Sequence, residues 1–353
     1  MIYRKLGTKD IQASVIALGT YPIGGWMWGG TDEANSIKTI HAALDHGINL
    51  IDTAPMYGYG LAEEIVGKAV KGRRDKAIIA TKCGIVWDTQ DWPQGKGELH
   101  FYADENGLTS DTSKIRFYRY LKADSIIKEV EASLKRLDTD YIDLLQTHAQ
   151  EATTPIDETM AAMEKLQKQG KIRAIGSSNV TASQLNEYVA AGTLDATQER
   201  YSYLDRLMEE NGVLSACRTN HVSFIAYAPL EHGLLTGVLN PETEYPDGDF
   251  RKVDPRFSSE SVGQMNLLLS RLAPIREHLG LTTSQLMLSW VIAKYEKMHI
   301  ISGMRNAAEV AENAKAGVSI LAAEEIREIE ELFDRFQWNV KAPKVYYEEA
   351  DAS

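Results

Sequence analysis

The sequence predicts an α/β protein that folds as a closed (β/α)8 barrel, in which eight parallel strands alternate with eight helices. Three observations support this prediction. The chain has 353 residues, a length that suits one such barrel. Short apolar runs alternate with longer segments of helical period, and the composition does not change between the two halves. We therefore expect one barrel domain that spans residues 1–353.

Eight apolar runs are predicted to form the barrel strands, because a parallel strand covered on both faces is apolar along its length. These runs are residues 14–19, 48–54, 77–83, 142–148, 172–177, 196–201, 222–228 and 299–303. An open, doubly wound sheet is the alternative. Such a sheet usually carries a glycine-rich turn after its first strand, and residues 19–25 (GTYPIGG) lack the GxGxxG pattern.

Segments of helical period lie between the predicted strands. They cover residues 32–46, 61–70, 124–137, 156–169, 181–190, 208–219, 283–294 and 306–316. Asp124 is the predicted N-cap of the third segment. Residues 2–12 are expected to form a hairpin at the bottom of the barrel. Two long loops, about 85–121 and 231–260, each follow a strand, so they lie at the C-terminal face, where active sites of this fold occur.

The composition narrows the classes of function. The net charge is −12, with 44% apolar and 25% charged residues, which argues against disorder and against a broad nucleic-acid-binding face. No apolar stretch is long enough to span a membrane, and no signal peptide is expected. Neither the two cysteines, Cys83 and Cys217, nor the spacing of His41 and His46 matches a metal site. We expect a cytoplasmic protein without a structural metal.

Polar residues stand at the ends of four predicted strands. Asp52, Lys82 and His148 lie at the ends of the second, third and fourth strands, and Tyr57 follows Asp52. The fifth strand ends in residues 176–179 (GSSN). Each alone has an ordinary structural explanation, but a buried lysine needs a paired carboxylate, and Asp52 is one strand away from Lys82. The Lys82 ammonium is expected to lower the pKa of Tyr57 from about 10. With His148 donating to a carbonyl oxygen, the group could protonate a developing alkoxide.

Several short motifs, spread over nearly the whole chain, occur in the same order as in one known protein family. They are DTAPMYG at 52–58, ATK at 80–82, LQTH at 145–148, IGSSN at 175–179, QERY at 198–201, AYAPLEHGLLTG at 226–237, GMR at 303–305 and EN at 312–313. In these motifs the sequence resembles the aldo-keto reductase superfamily. The resemblance implies a catalytic tetrad of Asp52, Tyr57, Lys82 and His148, with Tyr57 as the general acid/base.

The resemblance also implies a nicotinamide dinucleotide cofactor, which this family binds without a GxGxxG motif. Ser178, Asn179 and Gln198 would hold the carboxamide, Tyr227 would stack under the ring, and the backbone of 230–237 would bind the pyrophosphate. The full set of expected cofactor contacts is Ser178, Asn179, Gln198, Tyr227, Leu230, Gly233, Leu235, Gly237, Gly303, Arg305, Glu309, Glu312 and Asn313.

The choice between the two dinucleotides depends on two residues near the end of the last barrel strand. Arg305 could pair with a 2′-phosphate, whereas Glu309 could accept from a free 2′-hydroxyl. However, Asn306 and Glu309 have the spacing of a capping box, in which the glutamate turns back to the backbone. NADP(H) is therefore favoured, and NAD(H) stays open.

Aromatic residues make up about 19% of the loop at 85–121 (7 of 37), whereas they make up 8% of the whole chain. They are Trp87, Trp92, Phe101, Tyr102, Phe117, Tyr118 and Tyr120. Aromatic faces with a few polar groups suit sugars, so a sugar-like carbonyl or polyol is the preferred substrate. Trp26, Trp28, Trp87, Arg116 and Tyr118 are the expected substrate contacts. A subunit interface is the alternative for this loop, and the oligomeric state is left open.

The predicted function is NAD(P)(H)-dependent interconversion of a carbonyl and its alcohol, in carbohydrate metabolism. Two alternatives remain from the sequence. One is a cofactor-sensing regulatory subunit without significant turnover, as occurs among relatives of this family. The other is an aldolase that forms a Schiff base on Lys82.

Overall fold

A computed structural model describes residues 1–88, 97–105, 107–318, 320–336 and 338. Its strands are β1 (Tyr3–Lys5), β2 (Gln12–Ser14), β3 (Ile16–Gly19), β4 (Leu50–Asp52), β5 (Ile78–Cys83), β6 (Ile85–Trp87), β7 (Glu98–Asp104), β8 (Gly107–Thr109), β9 (Ile115–Arg119), β10 (Ile142–Thr147), β11 (Ile172–Ser178), β12 (Ala196–Arg200), β13 (Ser223–Tyr227) and β14 (Met298–Gly303). Eight of them close into a parallel barrel in the order β10-β11-β12-β13-β14-β3-β4-β5. The predicted (β/α)8 barrel and its eight strands are confirmed.

The helices lie between the barrel strands and after the last one. They are α1 (Glu33–Asp45), α2 (Leu61–Val70), α3 (Ala123–Leu137), α4 (Ile156–Lys168), α5 (Ala182–Ala191), α6 (Leu207–Glu210), α7 (Val213–Asn220), α8 (Ser259–Ser270), α9 (Ala273–Leu279), α10 (Thr283–Ala293), α11 (Ala307–Ala314) and α12 (Ala323–Asp334). The predicted helix 208–219 is split at Gly212, which has a φ of 86°. Asp124 lies in the first turn of α3, whose N-cap is Lys122, so the predicted cap is wrong. Helices α8, α9 and α12 were not predicted.

The long segment after β5 is a small sheet and not an irregular loop. Strands β6, β9, β7 and β8 form an antiparallel sheet in that order. Phe117 is paired in register with Trp87 on one side and with Phe101 on the other. Aromatic cross-strand neighbours of this kind stabilise antiparallel pairs, which explains the aromatic excess without a ligand. Trp92 lies outside the described residues.

The N-terminal hairpin closes the bottom of the barrel, as predicted. Strands β1 and β2 are antiparallel, and Leu6 and Ile11 between them pack against the apolar interior of the barrel. Gly7 has a φ of 54°, and a Cβ there would lie 2.5 Å from the Cα of Asp195. The hairpin turn therefore requires glycine at this position.

Two layers of side chains fill the barrel above the hairpin. The lower layer is apolar and contains Leu50, Ala80, Leu144, Ala174, Ala196 and Ile225. Two residues further along four of these strands, the layer is polar and buried, and it contains Asp52, Lys82, Gln146 and Gln198. Side chains two positions apart share a face of a strand, so the polar layer lies directly below the C-terminal mouth. Within the described part of the chain, no helix has the length and apolarity needed to cross a membrane.

Candidate active site

The Lys82 ammonium is the centre of the polar layer. It donates hydrogen bonds to Oδ1 and Oδ2 of Asp52 at 2.9 and 2.8 Å, and to the backbone oxygen of Thr53 at 3.0 Å. It also donates to the hydroxyl oxygen of Tyr57 at 3.1 Å. The whole residue Lys82 is 1% exposed and Asp52 is 3% exposed. Burial of this charge is possible because the paired carboxylate and the further acceptors replace its lost hydration.

The Tyr57 hydroxyl keeps its proton in this environment. Burial raises its pKa well above the usual value of 10, and the Asp52 carboxylate raises it further. The pKa of Tyr57 is thus raised and not lowered as the sequence led us to expect, because burial and the Asp52 carboxylate both act in that direction. Burial also lowers the pKa of Lys82 itself, while Asp52 acts in the opposite direction.

His148 is a neutral imidazole beside the phenol. Its ring meets the Tyr57 ring edge-on, with centroids 6.1 Å apart. Burial lowers the pKa of His148 well below 6.5, and the Lys82 charge lowers it further. The backbone N–H of His148 donates to the Cys83 oxygen at 2.8 Å, which fixes the end of β10 against β5. A neutral imidazole in this position can still donate one hydrogen bond to a ligand.

Four residues expected to hold a nicotinamide lie together at the ends of β11, β12 and β13. The Asn179 amide donates to the backbone oxygen of His148 at 2.9 Å and accepts from the Tyr227 hydroxyl at 2.8 Å. It also donates to the Ser178 hydroxyl at 3.0 Å. Gln198 donates through Nε2 to Asp52 Oδ1 at 2.7 Å. These bonds fix a set of amide, hydroxyl and phenol groups around one end of the cleft.

A cleft of about 850 Å³ joins the tetrad to the end of the barrel near α11. Of the predicted cofactor contacts, those that line it are Ser178, Asn179, Gln198, Tyr227, Leu230, Gly233, Gly303, Arg305, Glu309, Glu312 and Asn313. Leu235 and Gly237 are not among the lining residues. Leu235 is fully buried in the core, and its N–H donates to the Leu230 oxygen at 3.2 Å. It therefore supports the turn at 230–235 from behind.

Glu309 is turned back toward the start of α11. Its Oε2 accepts from the backbone N–H of Arg305, and its Oε1 accepts from Nδ2 of Asn306, both at 2.8 Å. Asn306 in turn caps the helix by accepting the Glu309 N–H at 3.0 Å. Half of the predicted capping box is therefore present: Asn306 caps the helix, but Glu309 accepts from the backbone N–H of Arg305 and not from that of Asn306. No ion pair joins Arg305 to Glu309 in the part of the chain that is described.

One of the five predicted substrate contacts lines the cleft, and four do not. Trp28 is a lining residue, whereas Trp26, Trp87, Arg116 and Tyr118 are absent from the cleft wall. Trp26 stacks on Phe117, with centroids 5.7 Å apart, and its indole N–H donates to the Asp104 oxygen. Arg116 pairs with Asp88 at 2.7 Å. The small sheet thus packs behind the segment 26–28 and does not itself form the pocket.

The structure adds lining residues that the sequence reasoning missed. These are Tyr21, Met27, His232, Phe250 and Arg251. Trp28 contacts three consecutive residues of the second long segment, through a β-bridge to Asp249, a ring contact with Phe250 at 5.3 Å and a cation–π contact with Arg251 at 5.3 Å. The length of the loop at 231–260 was the available signal, because long loops at this face commonly form the site.

The residues present fit a nicotinamide dinucleotide. The cleft has amide and phenol groups at the tetrad end, and a turn at 228–233 in which Ala228, Glu231, His232 and Gly233 all have positive φ. Leu230, with a φ of −106°, and Glu231, with a φ of 46°, form one pair of opposite hand, an arrangement that turns neighbouring backbone N–H groups to one side and favours phosphates. The N–H groups of Glu231 and Gly233 also hold the turn together by donating to the oxygens of Ala228 and Leu230. An added Cβ at Gly233 would meet nothing closer than 3.9 Å, so the surface is open there. The described residues include no group of three or more His, Cys, Asp or Glu side chains placed to hold a metal ion.

The fold and the site define a barrel with a buried lysine–aspartate pair at its C-terminal mouth and a half-buried tyrosine hydrogen-bonded to the lysine. Comparison with known proteins identifies the class. Residues 15–334 match the model of the aldo/keto reductase family. The chain therefore belongs to the aldo-keto reductase family, whose members are oxidoreductases that act on small carbonyl substrates with nicotinamide cofactors.

Three similar proteins illustrate the range of this family. The chain is 41% identical over 298 residues to the aldo-keto reductase YhdN of Bacillus subtilis, covering 83% of this chain and 81% of that protein. It is 40% identical over 339 residues to the NADH-specific methylglyoxal reductase of Escherichia coli, covering 94% and 98%. The solved glycerol dehydrogenase AKR11B4 from Gluconobacter oxydans superposes with a TM-score of 0.81 at 34% identity, covering 94% and 95%.

Proposed function

We propose that this protein interconverts a carbonyl and its alcohol with NAD(P)(H), and that Tyr57 is the general acid/base. The observation that carries the proposal is the hydrogen-bonded chain from Asp52 through Lys82 to Tyr57. Lys82 supplies the hydrogen of its bond to Tyr57, so the phenolic hydrogen of Tyr57 is not used in that bond. That hydrogen is left for a carbonyl oxygen in the cleft.

Each member of the tetrad has a separate part in this proposal. Tyr57 gives its proton to the oxygen that becomes the alcohol, and Lys82 stabilises the phenolate that remains. Asp52 holds Lys82 in place by accepting from it with both oxygens. His148, kept neutral by burial and by the Lys82 charge, donates a hydrogen bond to the same substrate oxygen. Donors fixed in advance around a developing negative charge are a major source of rate enhancement.

A bound nicotinamide dinucleotide would supply or accept the hydride. Ser178, Asn179 and Gln198 would hold its carboxamide, and Tyr227 would lie under the ring. The turn at 228–233 would bind the pyrophosphate. The adenosine end would lie near Arg305 and Asn313, both of which line the cleft.

For the choice of cofactor we propose a preference for NADP(H), with NAD(H) as the alternative. The support is the geometry of Glu309, because both of its oxygens accept hydrogen bonds within the loop. The Arg305 guanidinium is exposed at the α11 end of the cleft, where it could pair with a 2′-phosphate. The similar Escherichia coli reductase is NADH-specific, so both dinucleotides have to be compared directly.

For the substrate we propose a small sugar-like aldehyde or ketone, or the corresponding polyol, in cytoplasmic carbohydrate metabolism. The support is the aromatic lining near Tyr57, where Tyr21 lies 4.9 Å from the Tyr57 ring and 5.9 Å from the Trp28 ring. The names of two similar proteins, a methylglyoxal reductase and a glycerol dehydrogenase, also denote small oxygenated substrates. The cysteines Cys83 and Cys217 are both free, as suits a reducing compartment.

The experiment is a panel of aldehydes, ketones and sugars, including methylglyoxal and glyceraldehyde, assayed by the absorbance of reduced nicotinamide with each dinucleotide. Steady turnover supports the proposal. Tight dinucleotide binding without turnover on the whole panel would favour a cofactor-sensing subunit instead. Labelling of Lys82 by borohydride in the presence of a carbonyl would favour the aldolase. We expect no such labelling, because Lys82 Nζ is held by Asp52, Thr53 and Tyr57.

A further inference from the structure

Gln146 is a buried polar residue in the barrel that the tetrad does not explain. It lies on β10, it is fully buried, and it is paired in register with Lys82 on β5. Its amide belongs to the same polar layer as Asp52 and Gln198. Burial of an amide is unfavourable unless it forms hydrogen bonds, so its contacts indicate what it does.

The orientations of two buried amides follow from the charge of Asp52. A carboxylate only accepts hydrogen bonds, so Gln198 has to present its Nε2 to Asp52, at 2.7 Å. The same Nε2 lies 3.3 Å from Oε1 of Gln146, which accepts its second hydrogen. Both hydrogens of the Gln198 amide nitrogen are thereby directed into the barrel. Neither bond uses Oε1 of Gln198, a residue that lines the cleft.

A glycine makes this contact possible. Gln146 on β10 and Gln198 on β12 are separated by β11, where Gly176 pairs with Gln146. A Cβ at residue 176 would lie 2.8 Å from Cγ of Gln146 and 3.2 Å from the Ala196 oxygen. The missing side chain leaves the space through which Gln146 reaches across one strand to Gln198.

We propose that Gln146 is a positioning residue for the cofactor: it fixes the Gln198 amide between Asp52 and the cleft, so that Oε1 of Gln198 accepts from the carboxamide N–H of a nicotinamide. This inference rests on the proposed function. Gln198 then connects the Asp52 carboxylate, which holds Lys82, to the carboxamide of the nicotinamide ring. Without the Gln146 acceptor the Gln198 amide is held by its bond to Asp52 alone, so Oε1 can turn about that bond and the carboxamide loses a fixed partner.

The variant Gln146→Met keeps the length of the side chain and removes both polar atoms. Nε2 of Gln146 is buried without a partner among the described residues, so its removal costs no hydrogen bond, whereas the loss of Oε1 leaves one hydrogen of the buried Gln198 amide without its acceptor. These two effects oppose each other, and we expect the melting temperature to change by only a few degrees. Gln146→Glu is the matched control, because it keeps an oxygen that accepts from Gln198. Gln146→Leu is a second apolar variant for the case that the methionine variant does not fold.

The test measures the dissociation constants of three probes by calorimetry on the full chain. They are NADP⁺, its 3-acetylpyridine analogue, which has no carboxamide N–H, and 2′-phospho-ADP-ribose, which has no nicotinamide. NAD⁺ and its counterparts are measured in parallel. For Gln146→Met we expect about tenfold weaker binding of NADP⁺, the order that one hydrogen bond contributes. The other two probes should bind as to wild type, and Gln146→Glu should retain most of the NADP⁺ affinity.

Two results would overturn the inference. One is unchanged NADP⁺ binding by Gln146→Met, and the other is an equal loss for all three probes, which indicates a general structural role. Failure of the proposed function is recognised in the wild-type protein: it would bind neither NADP⁺ nor NAD⁺, or it would bind one of them and turn over no carbonyl of the panel.

Discussion

The ammonium nitrogen of Lys82 donates a 3.1 Å hydrogen bond to the hydroxyl oxygen of Tyr57. The bond fixes the direction of the phenolic hydrogen, because the oxygen is already an acceptor on its Lys82 side. It also determines which protonation states suit reduction of a carbonyl. Tyr57 has to be neutral in order to give a proton, and Lys82 has to be charged in order to stabilise what is left.

The first prediction concerns the alkaline limb of the pH profile. The pKa of Tyr57 is raised and that of Lys82 is lowered, so Lys82 loses its proton first as the pH rises. The reduction rate should be level around neutrality and should fall at high pH with the titration of Lys82, since His148 stays neutral well below pH 6.5. Lys82→Arg should move this limb upward, because arginine stays charged. Lys82→Met should lower kcat by about 10²-fold or more. A limb that does not move in Lys82→Arg would assign the titration to another group.

The second prediction concerns cofactor selectivity. Arg305→Ala should weaken NADPH binding by about 1.5–3 kcal/mol, typical of a hydrogen bond to a charged group, and should leave NADH binding nearly unchanged. Competitive titration of both dinucleotides against wild type and variant measures this. Wild-type preference for NADH would contradict it and would make Glu309 the ribose ligand, which requires the carboxylate to leave the N–H of Arg305.

The third prediction distinguishes two tryptophans, Trp28 and Trp87, that were both expected from the sequence to contact the substrate. Trp28 lines the cleft, whereas Trp87 packs against Tyr59 and Phe117 in the small sheet. Trp28→Ala should raise the KM for the carbonyl substrate by about tenfold, on the scale of a lost aromatic contact and its buried area. Trp87→Ala should lower the melting temperature and leave KM within about twofold. Equal effects of the two substitutions on KM would place the small sheet in the pocket.

The fourth prediction concerns stability and pH at Glu129 in α3. Its carboxyl is buried and accepts from the Gly84 N–H at 2.8 Å and the Ser125 hydroxyl at 3.0 Å. Burial raises its pKa from 4.5 to about 8. The folded state therefore keeps a proton that the unfolded state loses above about pH 4.5, so the free energy of unfolding should fall between about pH 4.5 and 8.

Glu129→Gln should remove part of this fall, because the amide does not titrate. The check is urea unfolding of wild type and variant at pH 5 and at pH 8. The variant should gain relative to wild type on going to pH 8, by about 1.4 kcal/mol for each unit by which the pKa is raised. The same difference at both pH values would show that Glu129 is not protonated in the folded state.

Much of the barrel was predictable because a strand that is buried on both faces is apolar along its whole length. The eight apolar runs fall on the eight barrel strands, and a buried lysine beside a neighbouring carboxylate is a pairing that chemistry requires. Asp52 and Lys82 could therefore be joined from the sequence alone. The N-cap role of Asn306 was also predictable, because its side chain suits that position, whereas the acceptance by Glu309 of the Arg305 N–H was not.

Other features depend on contacts between distant segments, which no local pattern reveals. The aromatic residues of 85–121 pack on one another in a sheet, and composition alone does not distinguish such a sheet from a pocket wall. The direction of the Tyr57 pKa shift depends on the burial of its hydroxyl and on the position of the Asp52 carboxylate, and both are set by the folded structure. Gln146 was named only as part of a motif, and its contact with Gln198 depends on the absence of a side chain at Gly176.

The central claim is that Tyr57 gives the proton in a nicotinamide-dependent reduction. The most direct measurement compares wild type with Tyr57→Phe, using glyceraldehyde as the carbonyl and following reduced nicotinamide by absorbance. The ring is kept and only the hydroxyl is lost, so the dissociation constant of the dinucleotide should be unchanged, while kcat falls by about 10²–10⁴-fold. Turnover by Tyr57→Phe at the wild-type rate under saturating substrate would contradict the claim.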